Sequence, residues 1–568
     1  MGSLFRIGCR AAMLAVAVMC IPLSTLLAAP PASPIAPAPA PAAALPARTP
    51  PLRGIVLLSD RKQFDLHGIA TSPPGGVDAS RIATIPVTDA QRLIQPFVGK
   101  PIDGPLMLQV RKALQDYFIG IHQPFVSVIV PPQIVDSGVV QVIVLVGHLG
   151  RVTVTGNNWF GAGQYTNALH VRPGGPIDGA VLDSDMDWIN QNQYRHATVV
   201  ALPGQQLGTT DLQIRTEEQF PLTVTAGVSN TGTESTNLYR LNTGIDWGNA
   251  FWRGDDLNFN LSMSPDAYLV RQYSLGYTAY LPWHDTISLS GNIATSHPPS
   301  GSIIGNTGLS SGVSLRYQMN LPAPVWLKQH LTAGYDFKST NNNLLFGGVS
   351  IFNTTSEIDQ FVLGYGGVAT DPFGSTSVDF NLFLSPGGMT PDNTTAAFAA
   401  QQPGATADYV YGHFAVERVT GLPGGFSWDV RGTLQLSNAI LLPSEQLIFG
   451  GYASVRGFVE QGATRDNGVL LENELRLPPV GALLPQGSPA SRYTGQLVPF
   501  LFVDYAAGWN HRDLGGVASW LMLSSIGPGV SWQVQRYMSA RFTWGIPLQR
   551  QGGVGPLLGP QFGVQLTL

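Results

Sequence analysis

Apolar and polar residues alternate strictly through much of the C-terminal two-thirds of this chain. Leu257, Phe259, Leu261 and Met263 are separated by Asn258, Asn260 and Ser262. The pattern recurs at Tyr273, Leu275, Tyr277, Ala279 and Leu281, and at Ile287, Leu289, Gly291 and Ile293. It returns at Val313, Leu315, Tyr317, Met319 and Leu321. A period of two sends the apolar side chains to one face of a strand and the small or polar ones to the other. Repeated over several hundred residues, such strands predict a closed barrel with lipid outside and water within. Residues 218–568 have room for about sixteen antiparallel strands of about ten residues each. Turn-rich stretches at Pro386–Ala405 and Asn438–Asn467 are expected to be loops, and the chain ends on a last alternation, Phe562, Val564, Leu566 and Leu568.

Ahead of the barrel the periodicity changes to that of two mixed α+β units. The first, residues 76–147, has a helix at Pro105–Gly120 with Leu106, Val110, Leu114, Tyr117 and Phe118 on one face. Strands Phe125–Val130 and Val139–Val146 follow. The second, residues 148–217, has a strand at Arg151–Thr155 and a helix at Asp178–Asn190 with Val181, Leu182, Met186 and Ile189 inward. Strands at Ala197–Leu202 and Leu212–Thr216 complete it. Residues 30–75 are a Pro/Ala-rich linker and N-terminal segment whose one strand-like run is Ile55–Leu58. Residues 1–29 read as a secretory signal: Arg6 and Arg10, then an apolar body, then Leu27-Ala28-Ala29.

Composition narrows the functions. Charged residues make up 12% of the chain, about half the share in an ordinary soluble domain, as expected of a sheet facing lipid. The net charge is -5 and there is no Lys/Arg block, so no nucleic-acid partner is expected. Both cysteines, Cys9 and Cys20, lie in the signal, which leaves no disulfide or thiol chemistry for the mature chain. The histidines form no HExxH motif, and His284, His330 and His413 are read as lumen or interface residues. Asp183-Ser184-Asp185 reads as a helix's solvated first turns and Asp255-Asp256 as a turn. No catalytic residue, metal or cofactor is expected. Trp247, Trp252, Trp283 and Tyr280 suit an interfacial girdle.

Several motifs carry a family resemblance. Gly147–Asn157 looks like the opening strand of the second α+β unit, and Leu202–Leu212 like a Pro-Gly…Gly…Asp-Leu hairpin closing it. Phe449-Gly450-Gly451-Tyr452-Ala453-Ser454-Val455-Arg456-Gly457-Phe458 comes later, then Glu472–Pro478, then Phe500–Gly508. In this order they resemble the outer-membrane transporters of two-partner secretion, the haemolysin secretion/activation type. The resemblance implies two periplasmic POTRA domains followed by a barrel of about sixteen strands. It implies that Val455, Arg456, Gly457 and Phe458 tip a loop folded into the lumen, where Arg456 meets Asp504. It places Glu474, Phe502 and Gly508 in the barrel wall. Relatives with a pore-plugging N-terminal helix differ from this Pro/Ala-rich chain, in which Leu52–Thr71 is the one candidate segment.

The function expected is a protein-secretion pore. POTRA strand edges would take an unfolded exoprotein of the adhesin or haemolysin type as an added strand. Candidate edges are Val139–Val146, with Val139 and Val142, and Ala197–Leu202, with Val199. A groove near Met186 and Ile189 would assist. The chain is expected to work as a monomer in outer-membrane lipid without nucleotide. A barrel-assembly factor of the same superfamily is the alternative.

Overall fold

The computed structural model describes residues 49–568 except positions 83, 122, 207, 298–303, 325, 347–348, 484–495 and 514–518. The signal and most of the Pro/Ala tract lie outside the described residues. The first α+β unit contains β1 (Gly54–Leu58), β2 (Val77–Asp78), α1 (Val87–Ile94), α2 (Gly104–Gly120), β3 (Val126–Ile129) and β4 (Val139–Val146). Its sheet order is β2-β1-β4-β3. Asp103 starts α2 by accepting the Leu106 N–H at 2.8 Å, the usual N-cap bond. Leu106, Val110, Leu114 and Phe118, four apart, are all buried against the sheet.

Two expectations change here. β1 pairs parallel with β4 and belongs to this unit, so a boundary at residue 76 cuts through the sheet. Ile55 and Leu57 pack into one core cluster while Val56 and Leu58 pack into another. A strand buried on both faces shows no alternation and cannot be typed from periodicity. Leu52–Thr71 is therefore a core strand with a short turn of helix at Arg61–Gln63, not a plug helix. The second change concerns Val139–Val146. It is the central strand, bonded to β1 on one side and β3 on the other, so it is not an edge.

The second unit contains β5 (His148–Thr155), α3 (Ala162–Thr166), α4 (Gly179–Ile189), β6 (Arg195–Pro203) and β7 (Thr209–Glu218) in the order β5-β7-β6. Asp178 caps α4 through the Ala180 and Val181 N–H groups. Leu182, Met186 and Ile189 are buried, but Val181 is exposed because it lies one step off their stripe. Asp185, read from the sequence as solvated, is fully buried and bonded to His170.

The barrel is closed and antiparallel. Its last strand, Gln561–Thr567, pairs with its first, Leu222–Ser229. Met538–Thr543 and Ile546–Gln551 are two halves of one interrupted strand, both bonded to Trp520–Val534, which brings the total to sixteen. The alternation sets the register: Phe259 faces Leu275, Leu289 faces Leu315, and Ile287 faces Tyr317. All six are exposed, on the outer face. At the periplasmic rim Trp247 packs on Phe251 and Trp252. Tyr280 departs from the predicted girdle: it points inward, packs edge-on against Trp188 of α4 and donates to Asp256 at 2.6 Å. His330 and His413 flank the outward Leu331 and Phe414 and so face the lumen. The stretch Pro386–Ala405, expected to be a loop, connects two strands and contains a helix at Thr395–Gln401 that buries Phe398.

Candidate functional site

The loop Asn438–Asp466 leaves the outer end of one barrel strand, Ser427–Ser437, and enters the next, Asn467–Arg476. A short hairpin, Leu447–Phe449 with Ala463–Arg465, stiffens it. Its tip lies inside the lumen. Arg456 is 2% exposed there. Its Nε and Nη2 donate to the two oxygens of Asp504 at 2.7 and 2.5 Å. Its Nη1 donates to Glu474 at 2.5 Å, and its backbone N–H to Asp504 at 3.0 Å. A planar guanidinium matches two carboxylates at once in a way that an ammonium cannot. Phe502 lies beneath, with its ring centre 3.8 Å from the guanidinium carbon.

The wall is built to receive this group. Phe500, Phe502 and Asp504 alternate on the strand Gln496–Trp509 and share its inner face. Gly527 and Gly529 on the adjacent strand make room, since a Cβ at either would collide with the rings of Phe502 and Phe500. Arg541 and Arg476 also donate to Glu474, and Arg476 reaches Asp429 at 2.5 Å. Burying these charges costs several kcal/mol per ion unless each is paired, so the network holds together as a whole. Gly508 has a different part: the ring of Phe449 rests on it and on Gly468.

Gly457 follows Arg456 with φ +86° and passes against the backbone of Gly545. A Cβ on either glycine would lie within 2.6 Å of the other's backbone. Gly545 sits at the break between the two half-strands, where the tip presses on the wall. The sequence reading missed this partner, since a lone glycine before Ile546-Pro547 carries no pattern. Gln561 accepts the Gly457 N–H at 3.1 Å and donates to Glu460 at 3.1 Å. Phe458 is fully buried with Val455, Phe449, Leu470, Leu521 and Leu523. We expect Gly545→Val to overpack this contact by about 1–3 kcal/mol and to unseat the tip. Greater uptake of a large antibiotic by cells carrying normal amounts of folded barrel would check it.

A second anchor was also missed. Glu445, near the start of the loop, is buried and accepts from Lys338 at 2.8 and 3.0 Å, Gln360 at 3.1 Å and Tyr411 at 2.9 Å. These partners come from three other strands, Leu327–Phe346, Val349–Asp371 and Asp408–Gly421. Ile440, Leu441 and Leu442 beside it pack on Phe398 of the outer helix. The loop is thus tied to separate parts of the wall. Beside Tyr452 the lumen retains a cavity of about 600 Å³ lined by groups such as Asn242, Asn260, Gln496, Arg541 and Gln565.

The predicted peptide-binding residues divide. Val139 and Val142 are buried in a central strand, and Met186 and Ile189 are core residues, so none of the four forms an accessible groove. Val199 lies on β6, which is an edge. The Gly204 N–H donates to the Thr209 carbonyl at 2.9 Å and sets the phase of the β6–β7 ladder. Alternation then turns the backbone groups of Ala197, Val199 and Ala201 away from β7. Asn190 covers Ala197, donating to its carbonyl at 2.9 Å and accepting its N–H at 2.7 Å.

These features define an outer-membrane barrel with two POTRA domains on its periplasmic side and a loop latched in its lumen. Comparison with known proteins narrows the class. The chain belongs to the family described as haemolysin secretion/activation protein ShlB/FhaC/HecB, whose profile matches residues 208–531. It is 22% identical over 482 residues to the heme/hemopexin transporter protein HuxB of Haemophilus influenzae, covering 78% of each chain. It is 23% identical to the outer membrane transporter CdiB of Dickeya dadantii, covering 75% of this chain and 73% of that one. Among solved structures, CdiB from Escherichia coli superposes with a TM-score of 0.71 at 18% identity, covering 94% of this chain and 93% of that one. Members of this family are transporters, and the protein lies in the outer membrane with its POTRA domains in the periplasm.

Proposed function

We propose that this transporter exports an exoprotein of the adhesin or haemolysin type, taking it first as an added strand on β6. The exoprotein then passes through the lumen when the Val455–Phe458 tip leaves its socket. The observation that carries this reading is the tip itself, held in an otherwise polar lumen by a buried ion network that can be exchanged for water. Charged networks of this kind specify one position and add little net stability, which suits a part that must move. The barrel closes within one chain, which supports a monomeric pore, and its apolar outer face supports direct contact with lipid. Deleting the gene and comparing culture supernatants tests the function. Loss of one large exoprotein with other outer-membrane proteins intact is expected; general loss of barrels would favour an assembly factor.

The edge has its own test. Ala201 is exposed and its N–H points away from β7, so Ala201→Pro removes an open donor without breaking a ladder bond. One lost hydrogen bond of about 1 kcal/mol corresponds to about fivefold weaker capture. Binding of an exoprotein fragment to wild-type and variant protein measures it; equal affinity would rule this edge out.

A further inference from the structure

The second POTRA unit meets the barrel through a cluster that the secretion reading does not use. His170 precedes α4, Asp185 lies on α4, and His284 lies in the periplasmic turn Leu281–Asp285 between two barrel strands. We propose that His170, Asp185 and His284 form a divalent-metal site, suited to Zn²⁺, that fastens the second POTRA unit to the barrel.

Asp185 is the centre of the cluster. Its side chain is 1% exposed, and among the described residues no Lys or Arg pairs with it. Its oxygens accept the His170 backbone N–H at 2.8 Å and the His170 Nδ1 at 2.8 Å. With both imidazoles neutral, a buried carboxylate held by such groups lacks a compensating positive charge. A bound cation would supply one.

The geometry fits a metal. Asp185 Oδ1 is 2.8 Å from His170 Nδ1 and 3.6 Å from His284 Nε2, and all three atoms lie within 4.8 Å of one another. Ligand bonds of about 2.0–2.1 Å in a tetrahedral site set neighbouring ligand atoms about 3.3 Å apart, between the two measured spacings. Two imidazoles and a carboxylate form a common three-residue zinc set, with water as the fourth ligand. The His170 side chain is 48% exposed, which gives an ion and that water a way in.

His284 is also held in place. It has φ +66°, a left-handed conformation uncommon for non-glycine residues though less so for His. Its ring stacks on Trp188 at 5.0 Å and meets His170 edge-on at 4.4 Å. His284 Nε2 lies 3.0 Å from the Ala168 carbonyl. Metal binding would take the Nδ1–H tautomer and exchange that contact for a metal bond. Because the ligands come from both parts of the chain, the ion would hold the POTRA unit at one angle beneath the pore.

Full-length protein in detergent, stripped with a chelator, would be titrated with Zn²⁺ against a chromophoric competitor. One ion per chain is expected. His284→Phe, which keeps the stack on Trp188, and His170→Gln should each weaken binding at least about tenfold. Cobalt substitution should give the intense visible absorption of a four-coordinate site. Spin labels on the second POTRA unit and the barrel should show a narrower distance distribution with Zn²⁺ in wild type but not in His284→Phe. No stoichiometric ion, equal binding by the variants, or a weak octahedral cobalt spectrum would overturn the proposal.

Discussion

Arg456→Ala is expected to leave a folded barrel of normal abundance in the membrane while export to the medium falls at least about a hundredfold. Among the described residues, the substitution removes every side-chain donor to Asp504 and one of those to Glu474. Glu474 keeps Arg541 and Arg476, but Asp504 is left buried opposite Glu472 in the neighbouring strand. Breaking one side of a buried pair costs about 3–5 kcal/mol, against about 1.4 kcal/mol for each tenfold change in population. That loss leaves the tip out of its socket at rest, so its release is no longer coupled to an arriving exoprotein and export fails. Arg456→Lys should recover only part of the function, because one ammonium cannot serve Asp504 twice and Glu474 together. Secreted exoprotein is measured against heat-modifiable barrel in the same cells. Wild-type secretion by Arg456→Ala would remove the lock from the mechanism.

Glu445→Ala should have the second-largest effect, with a different signature. It strips the Lys338 ammonium, the Gln360 amide and the Tyr411 hydroxyl of a shared acceptor. The Lys338 side chain is 34% exposed, so water can repair part of the loss. A cost of about 1–3 kcal/mol is expected, in the range of one unsatisfied buried group. The start of the loop and its apolar contacts with Phe398 should loosen while the tip keeps its own bonds to Asp504 and Glu474 and leaves its socket only more often. Single-channel recordings should show more frequent openings than in wild type, with export reduced less than in Arg456→Ala. Since both anchors hold the same loop, the double variant should deviate from additivity by about 0.5–3 kcal/mol. Strict additivity would mean that the anchors act on independent segments.

The accuracy of the sequence reading follows the physics of each element. Strands with one face in lipid were legible because environment changes at every residue: Phe259, Leu275, Leu289 and Leu315 are all outward and exposed. The helix Gly104–Gly120 was legible through its buried positions four apart and its Asp103 cap. β1 was seen as a strand-like run but left outside the first unit, because its five residues are buried on both faces and carry no period that would show a partner. Val139–Val146 was found in range but misread as an edge, since apolar density marks burial and not which neighbours a strand has.

The lock was visible only through family resemblance. No local pattern ties Arg456 to a carboxylate 48 residues away, and nothing near Gly545 announces that another backbone will press on it. The alternation from Glu218 onward determined that these strands face two different media, because lipid and water each select one side of a pleated chain. Which strands close the cylinder, where the inward loop lands and which charges meet across the lumen were decided by tertiary structure. Those contacts join residues far apart in the chain, and each depends on a register that no short stretch of sequence contains.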